Sequence, residues 1–114
     1  EALGRSGRPA DAIEHFEAAT RLDPSSVPAH YNLGNALFAL RRFPAAAEQY
    51  ASVVQLQPEF AEAHNNLANT LVELGRLDDA EVQYGEALRL KPGFAPARNN
   101  LRRLQALKAA AAAR

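Results

Sequence analysis

The residues of this chain best suited to molecular recognition are its asparagines, which recur at a fixed spacing. Asn32, Asn66 and Asn100 follow one another at intervals of 34 residues. An asparagine side chain offers an acceptor oxygen and two N–H donors, so it matches the C=O and N–H groups of a peptide backbone. A row of such amides along one surface therefore predicts binding of an extended polypeptide, with little dependence on its sequence.

The residues that could catalyse a reaction or bind a metal are not grouped in a suitable pattern. His30 and His64 also lie 34 residues apart, and on neighbouring packed helices they would be about 10 Å apart, too far to share one ion. Asp78 and Asp79 are better explained as carboxylates at the positive end of a helix dipole. No phosphate-binding loop, nucleophile elbow or zinc spacing occurs. We expect no enzymatic activity, cofactor or metal.

Composition narrows the classes of partner. The chain has 114 residues, of which 47% are hydrophobic and 23% are charged, as in one folded domain. Thirteen basic residues balance thirteen acidic ones, so there is no surplus charge to attract nucleic acid or an anionic membrane. No apolar run approaches the roughly 20 residues needed to cross a bilayer. A protein or peptide is the expected partner; the absence of cysteine does not fix the compartment.

The sequence repeats from end to end with a period of 34 residues. Residues 29–35 recur at 63–69, and the start of this segment recurs at 97–101. The second half of the unit repeats at residues 12–16, 46–50 and 80–84, and each unit closes on a proline: Pro24, Pro58 and Pro92.

These residues resemble the tetratricopeptide repeat family, whose pattern is W-x2-L-G-x2-Y, then A-x3-F, then P, over 34 residues. The resemblance implies an all-α fold, a right-handed superhelical solenoid of stacked antiparallel helical hairpins. The sequence departs from the pattern with His30 and His64 in the Trp place, Leu37 and Leu71 in the Tyr place, and Ala68 in the Gly place.

The same pattern divides the single domain into units. We expect residues 1–26 to be a partial repeat, 27–60 and 61–94 to be full repeats, and 95–114 to be a capping helix. Because the first residue is Glu1 inside a helical pattern, we expect the chain to be part of a longer protein, and its incompletely covered first unit makes self-association plausible.

Apolar periodicity and helix-stop signals predict the helices. Gly7 and Gly75 end helices by allowing positive φ, Arg41-Arg42 does so without glycine, and Asp78 with Glu81 has the form of a capping box. The expected helices are 2–6, 10–22, 28–40, 44–56, 62–74, 78–90 and 96–112.

The first helix of each hairpin carries the candidate binding residues, because these positions point away from its leucine stripe. In the family, first helices line the concave side, and the amide row resembles the asparagine ladder of the O-linked N-acetylglucosamine transferases. The predicted peptide-binding residues are Tyr31, Asn32, Asn35, Phe38, Asn65, Asn66, Asn69, Val72, Glu73, Asn99, Asn100 and Arg103.

Chaperone adaptors of the same family grip a C-terminal carboxylate with lysines and arginines among asparagines. Here Asn35 and Asn66 match the amides of that clamp, but Tyr31, Asn65, Pro96 and Asn100 stand where its basic residues would be. The sequence therefore disfavours chaperone-tail binding.

Three alternatives remain open from the sequence alone. The asparagines could bond to one another between hairpins rather than to a ligand. The chain could be a self-assembly module, or it could recruit substrates for a larger enzyme such as a glycosyltransferase.

Overall fold

A computed structural model describes residues 9–113, which form six α-helices and no strand. Their bounds agree with the predicted ones to within one residue, and the predicted helix 2–6, with its stop at Gly7, lies outside the described residues. The helices are α1 (Pro9–Leu22), α2 (Val27–Ala39), α3 (Phe43–Leu56), α4 (Ala61–Glu73), α5 (Leu77–Leu90) and α6 (Ala95–Ala112).

Proline ends the second helix of each unit. α1, α3 and α5 stop two residues before Pro24, Pro58 and Pro92, since the residue before a proline is driven away from helical geometry. After the first of these turns, the Ser26 hydroxyl accepts a hydrogen bond from the Ala29 N–H at 3.2 Å and so caps α2.

The turn inside each full hairpin uses one residue in the left-handed region. Gly75 has φ 78° in the α4–α5 turn, and Arg41 has φ 60° in the α2–α3 turn. Arg41 is not a glycine, so this conformation costs about 1–2 kcal/mol. Its guanidinium lies 5.2 Å from the ring centroid of Phe43 and 3.9 Å from the Glu73 carboxylate.

The predicted capping box at the start of α5 is wrong. The N-cap residue is Arg76, and no side chain caps this helix. Asp78 lies inside the first turn, so its carboxylate is not placed to receive the N–H groups that an N-cap oxygen would reach. Instead, the carboxylates of Asp78 and Glu81 each accept a hydrogen bond at 2.6 Å from the Lys108 ammonium of α6.

The hairpins α2–α3 and α4–α5 stack along one direction, giving an elongated body of 49 × 28 × 22 Å. Leucines of the first helices and alanines and tyrosines of the second helices fill the space between them. Buried members of this core are Leu33, Leu37, Ala46, Tyr50, Leu67, Leu71, Ala80, Tyr84 and Leu104. The architecture is the predicted all-α solenoid, in which each hairpin buries its apolar stripe against its neighbours.

The last helix, α6, packs on α5 and α4 and has a polar outer side. Arg98, Arg102 and Gln105 are exposed, at the repeat positions that hold His64, Ala68 and Leu71 in α4. Within residues 9–113, no helix is both long and apolar enough to cross a membrane.

Candidate functional site

The first helices α2, α4 and α6 lie side by side and form a common surface, here called the inner face. Hydrogen bonds between asparagines join these helices at two places. At the first junction, Asn66 of α4 donates from Nδ2 to the Tyr31 hydroxyl at 3.1 Å and to Oδ1 of Asn35 at 3.4 Å. The Tyr50 hydroxyl of α3 also donates to Oδ1 of Asn35.

The second junction repeats this arrangement 34 residues later. Asn100 of α6 donates from Nδ2 to Oδ1 of Asn65 at 3.2 Å and to Oδ1 of Asn69 at 3.1 Å. The Tyr84 hydroxyl of α5 donates to Oδ1 of Asn69. The structural role left open by the sequence is therefore present, because these amides connect successive hairpins.

The two tyrosines that complete these networks are held in the protonated form. Burial raises the pKa of Tyr84 to about 12. Burial, together with the nearby Tyr31 hydroxyl, raises the pKa of Tyr50 still further above its ordinary value. Both hydroxyls are therefore protonated at neutral pH, so each can donate to Oδ1 of its asparagine.

Part of each amide stays available to a ligand. Among the hydrogen bonds of the described residues, none uses Nδ2 of Asn35 or of Asn69, or Oδ1 of Asn66. The side chains of Asn32 and Asn99 are exposed and make no such bond. The network thus orients donors and acceptors of known identity on the inner face.

Two neighbouring pockets lie on this face. The first pocket, of about 170 Å³, is lined by Asn35, Phe38, Tyr50, Asn66 and Asn69. The second pocket, of about 360 Å³, is lined at the equivalent repeat positions by Asn69, Val72, Tyr84, Asn100 and Arg103, and also by Phe38, Glu73, Leu104 and Leu107. Each pocket thus has amide walls and an apolar floor or rim.

Of the two charged residues that line the second pocket, Glu73 forms an ion pair among the described residues and Arg103 does not. The Glu73 carboxylate lies 3.9 Å from the Arg41 guanidinium. Arg103 donates one hydrogen bond to Oδ1 of Asn100 at 3.0 Å, and no ion pair among residues 9–113 includes it. A guanidinium has five N–H donors, so most of those of Arg103 are available.

The structure brings most of the predicted site residues together around these pockets. Asn35, Phe38, Asn66, Asn69, Val72, Glu73, Asn100 and Arg103 line them. Tyr31 lies beside them, with its ring centroid 4.8 Å from that of Phe60. Asn65 is only 5% exposed, so its side chain serves the second junction. Asn32 projects into solvent, and Asn99 lines a shallow depression with Arg102 and Arg103.

Four residues of the site were missed from the sequence: Tyr50, Tyr84, Leu104 and Leu107. The tyrosines stand at a core position of the second helix, and a buried tyrosine hydroxyl normally has a polar partner, which was the signal that could have revealed them. Leu107 is 51% exposed, and it lies in the part of α6 where the repeat pattern fails.

His30 and His64 make equivalent hydrogen bonds at equivalent repeat positions. Nε2 of each ring lies 2.7 Å from a proline carbonyl, of Pro24 and Pro58 respectively. A carbonyl can only accept, so this nitrogen carries the proton, while Nδ1 contacts the side-chain amide of Gln49 or Gln83. The described part of the chain contains no group of three or more residues that could hold a metal ion.

Comparison with known proteins identifies the family. The family model for the tetratricopeptide repeat matches residues 1–59 and 31–96. This chain belongs to the tetratricopeptide repeat family. Its stacked hairpins α2–α3 and α4–α5 lie within the matched residues. A search of curated proteins found no match.

Solved structures with the same fold include several tetratricopeptide proteins. The first such domain of Spaghetti (RPAP3), bound to the HSP90 peptide SRMEEVD, is 25% identical with a TM-score of 0.87 over 90% of this chain and 82% of its own. MamA is 30% identical with a TM-score of 0.87, over 90% of this chain and 60% of its own. The translocator chaperone SycD of Yersinia enterocolitica shares the fold, with a TM-score of 0.84 at 23% identity over 91% of this chain and 77% of its own.

Proposed function

We propose that this chain is a non-catalytic protein-interaction module that binds an extended peptide along its inner face. The observation that carries the proposal is the pair of equivalent pockets with preoriented amides, on a stack that otherwise consists of ordinary helical packing. The structure of RPAP3 with a peptide, at 25% identity, supports the same use of the fold.

The free amide groups suit a peptide backbone. Nδ2 of Asn35 and of Asn69 can donate to ligand carbonyls, while Oδ1 of Asn66 can accept from a ligand N–H. The hydrogen bonds at the two junctions hold these amides before any ligand arrives, so little side-chain freedom is lost on binding. Such preorganisation favours recognition of backbone over recognition of one particular side chain.

An array of unrelated peptides tests the proposal. We expect the native chain to bind a subset of them, and the variant Asn32→Ala/Asn66→Ala/Asn100→Ala to lose most of that binding. The matched control is Gln55→Ala/Gln105→Ala, which removes two exposed amides outside the pockets. Equal binding by the triple variant and the native chain would show that Asn32, Asn66 and Asn100 do not hold the ligand.

Stability has to be measured alongside binding, because Asn66 and Asn100 also join hairpins. Circular dichroism at the assay temperature shows whether the triple variant is folded. The pair Asn32→Ala/Asn99→Ala changes only side chains without hydrogen bonds in the described chain, so a loss of binding by this pair cannot come from a broken junction. Light scattering over a range of concentrations separates peptide binding from self-association.

A further inference from the structure

The spacing of the two pockets on the inner face selects among ligand conformations. The first pocket lies mainly between α2 and α4 and the second mainly between α4 and α6, at equivalent repeat positions. We take their centres to be one helix spacing apart, about 8–10 Å for packed helices. A β-strand places side chains on the same side about 6.6 Å apart. A polyproline II segment places them every third residue, about 9.3 Å apart. The second spacing fits, and the first does not.

An α-helical ligand could match the distance between the pockets, but it would not use the free amide groups of the inner face. Residues i and i+7 of an α-helix lie about 10.5 Å apart, which also agrees with the spacing. However, a helix satisfies its own backbone groups, and it would leave Nδ2 of Asn35 and Oδ1 of Asn66 without partners. A polyproline II backbone makes no internal hydrogen bonds, so its C=O and N–H groups are free for these amides.

Charge adds a second feature of the ligand. The Arg103 guanidinium reaches the second pocket, has no carboxylate partner among the described ion pairs, and is joined by the exposed Arg102 in the adjacent depression. Glu73 lines the same pocket, and its carboxylate lies 3.9 Å from the Arg41 guanidinium. This end of the groove is therefore complementary to an acidic side chain.

We propose that the inner face binds a polypeptide segment in the polyproline II conformation, with apolar side chains three residues apart in the two pockets and an internal acidic residue beside Arg103. This inference rests on the proposed function and specifies its ligand. Phe38 and Asn69 line both pockets, so these two residues lie between the positions of the two apolar side chains.

Peptides of equal composition test the spacing. Each peptide is acetylated at its N-terminus and amidated at its C-terminus. It carries two leucines among prolines and glutamines, and the leucines are two, three or four residues apart. A glutamate precedes the first leucine and another follows the second. We expect the three-residue spacing to bind at least about tenfold more tightly than the others by fluorescence anisotropy. Equal affinities, or a preference for another spacing, would overturn the proposal.

A charge cycle tests the role of Arg103. The best peptide is compared with its Glu-to-Gln version on the native chain, on Arg103→Ala and on Arg102→Ala. We expect the native chain and Arg102→Ala to prefer the acidic peptide about fivefold or more, and Arg103→Ala to show no preference. A preference that persists in Arg103→Ala contradicts the proposed contact. Because the peptides are amidated, a terminal carboxylate cannot produce the effect.

Replacing an exposed leucine by serine tests the second pocket with little risk to folding. Leu107 is 51% exposed and lines this pocket, whereas Leu22 is 87% exposed at the end of α1, outside both pockets. We expect Leu107→Ser to weaken the three-residue-spaced peptide several-fold, and Leu22→Ser to leave its affinity unchanged. If the two variants bind the peptide with equal affinity, a leucine of the peptide does not bind in the second pocket.

The outcomes separate this inference from the proposed function. If peptides bind the native chain through the asparagines without a preference for spacing, the ligand specification fails and the peptide-binding function stands. If no peptide in either experiment binds, both fail.

Discussion

The two full hairpins share a fold and a hydrogen-bond pattern but differ in how they fill the same space. In α2–α3, a methyl group at Gly34 would lie 2.8 Å from Cε1 of Tyr50, and the Tyr31 ring packs against Tyr50 at 6.1 Å between centroids. In α4–α5, the equivalent positions hold Ala68, which is fully buried, and Asn65.

This difference shows how neighbouring positions compensate. In the first hairpin a large ring at Tyr31 accompanies a glycine beneath Tyr50. In the second hairpin a smaller amide at Asn65 accompanies a methyl group beneath Tyr84. We infer that Tyr31 holds the Tyr50 ring against the Gly34 backbone, whereas Asn65 leaves Tyr84 room to accommodate a methyl group. Close packing makes such exchanges necessary, since interiors leave few voids.

The largest effect is expected where the hairpins are alike. Leu33 and Leu67 are 2% and 7% exposed, so Leu33→Ala or Leu67→Ala removes buried methyl groups and leaves a cavity. Each should reduce the free energy of unfolding by roughly 2–5 kcal/mol, measured by urea denaturation. A substitution that leaves the midpoint unchanged would show that the leucine does not support its hairpin.

The next effect tests the difference between the hairpins directly. Gly34→Ala forces a methyl group against Tyr50 and should cost about 1–3 kcal/mol. Adding Tyr31→Asn should recover part of this loss, since it recreates the combination found in the second hairpin. The reverse change, Ala68→Gly, should cost about 0.5–1 kcal/mol or somewhat more, because glycine weakens a helix. Alanine also favours a helix over glycine by about 0.5–1 kcal/mol, so the compensation argument is wrong if thermal denaturation shows Gly34→Ala to be stabilising by that full amount.

A smaller effect is expected from the tyrosine hydroxyls. Tyr50→Phe and Tyr84→Phe each remove one donor to an asparagine oxygen that keeps its second bond, so each should cost about 0.5–1.5 kcal/mol. The pKa of each hydroxyl is raised in the folded state. Their contribution is therefore complete below the ordinary tyrosine pKa of about 10 and is lost as the pH rises from there. Between about pH 9 and pH 12, denaturant unfolding should show a shallower decline in the free energy of unfolding for the Phe variants than for the native chain. An unchanged decline would contradict this assignment.

The smallest effect concerns the contact of α6 with α5. The Lys108 hydrogen bond holds the pKa of the Asp78 carboxyl below its usual value, so the attraction is present above the unfolded pKa of Asp78 and is lost as the pH falls through the lowered value. Both groups are near the surface, and added salt should weaken the contact. We expect Asp78→Asn to speed amide hydrogen exchange in residues 106–112, with little change elsewhere. Equal exchange rates for residues 106–112 in Asp78→Asn and in the native chain would show that the Asp78–Lys108 contact does not hold the end of α6.

The helices could be predicted closely because their limits are local signals. Pro24, Pro58 and Pro92 act on the residue before them, and the 34-residue period transfers each boundary to the next unit. The capping box failed because the helix begins one residue earlier, with Arg76 as its N-cap, and Asp78 and Glu81 bond instead to Lys108, which lies 30 and 27 residues later in the chain. Contacts of that range depend on the stacking of helices and leave no local pattern.

The sequence predicts which residues lie near the candidate site, but it does not predict the hydrogen bonds between them. A helical wheel places Asn65 on the same side as Asn66, yet only the stacked structure shows that Asn65 is buried as an acceptor for Asn100. The roles of Tyr50 and Tyr84 were likewise hidden, because their hydroxyls reach the inner face from the second helices. Which end of each amide remains free follows from these bonds and from nothing in the sequence.

The left-handed turn residue Arg41 has a consequence for the mechanics of the stack. A glycine there would relax the backbone but would remove the side chain that connects the tip of one hairpin to Glu73 in the next. Because both side chains are exposed, this pair holds the successive tips together only weakly, and added salt weakens it further. The spacing of the tips therefore depends mainly on the helix packing beneath them.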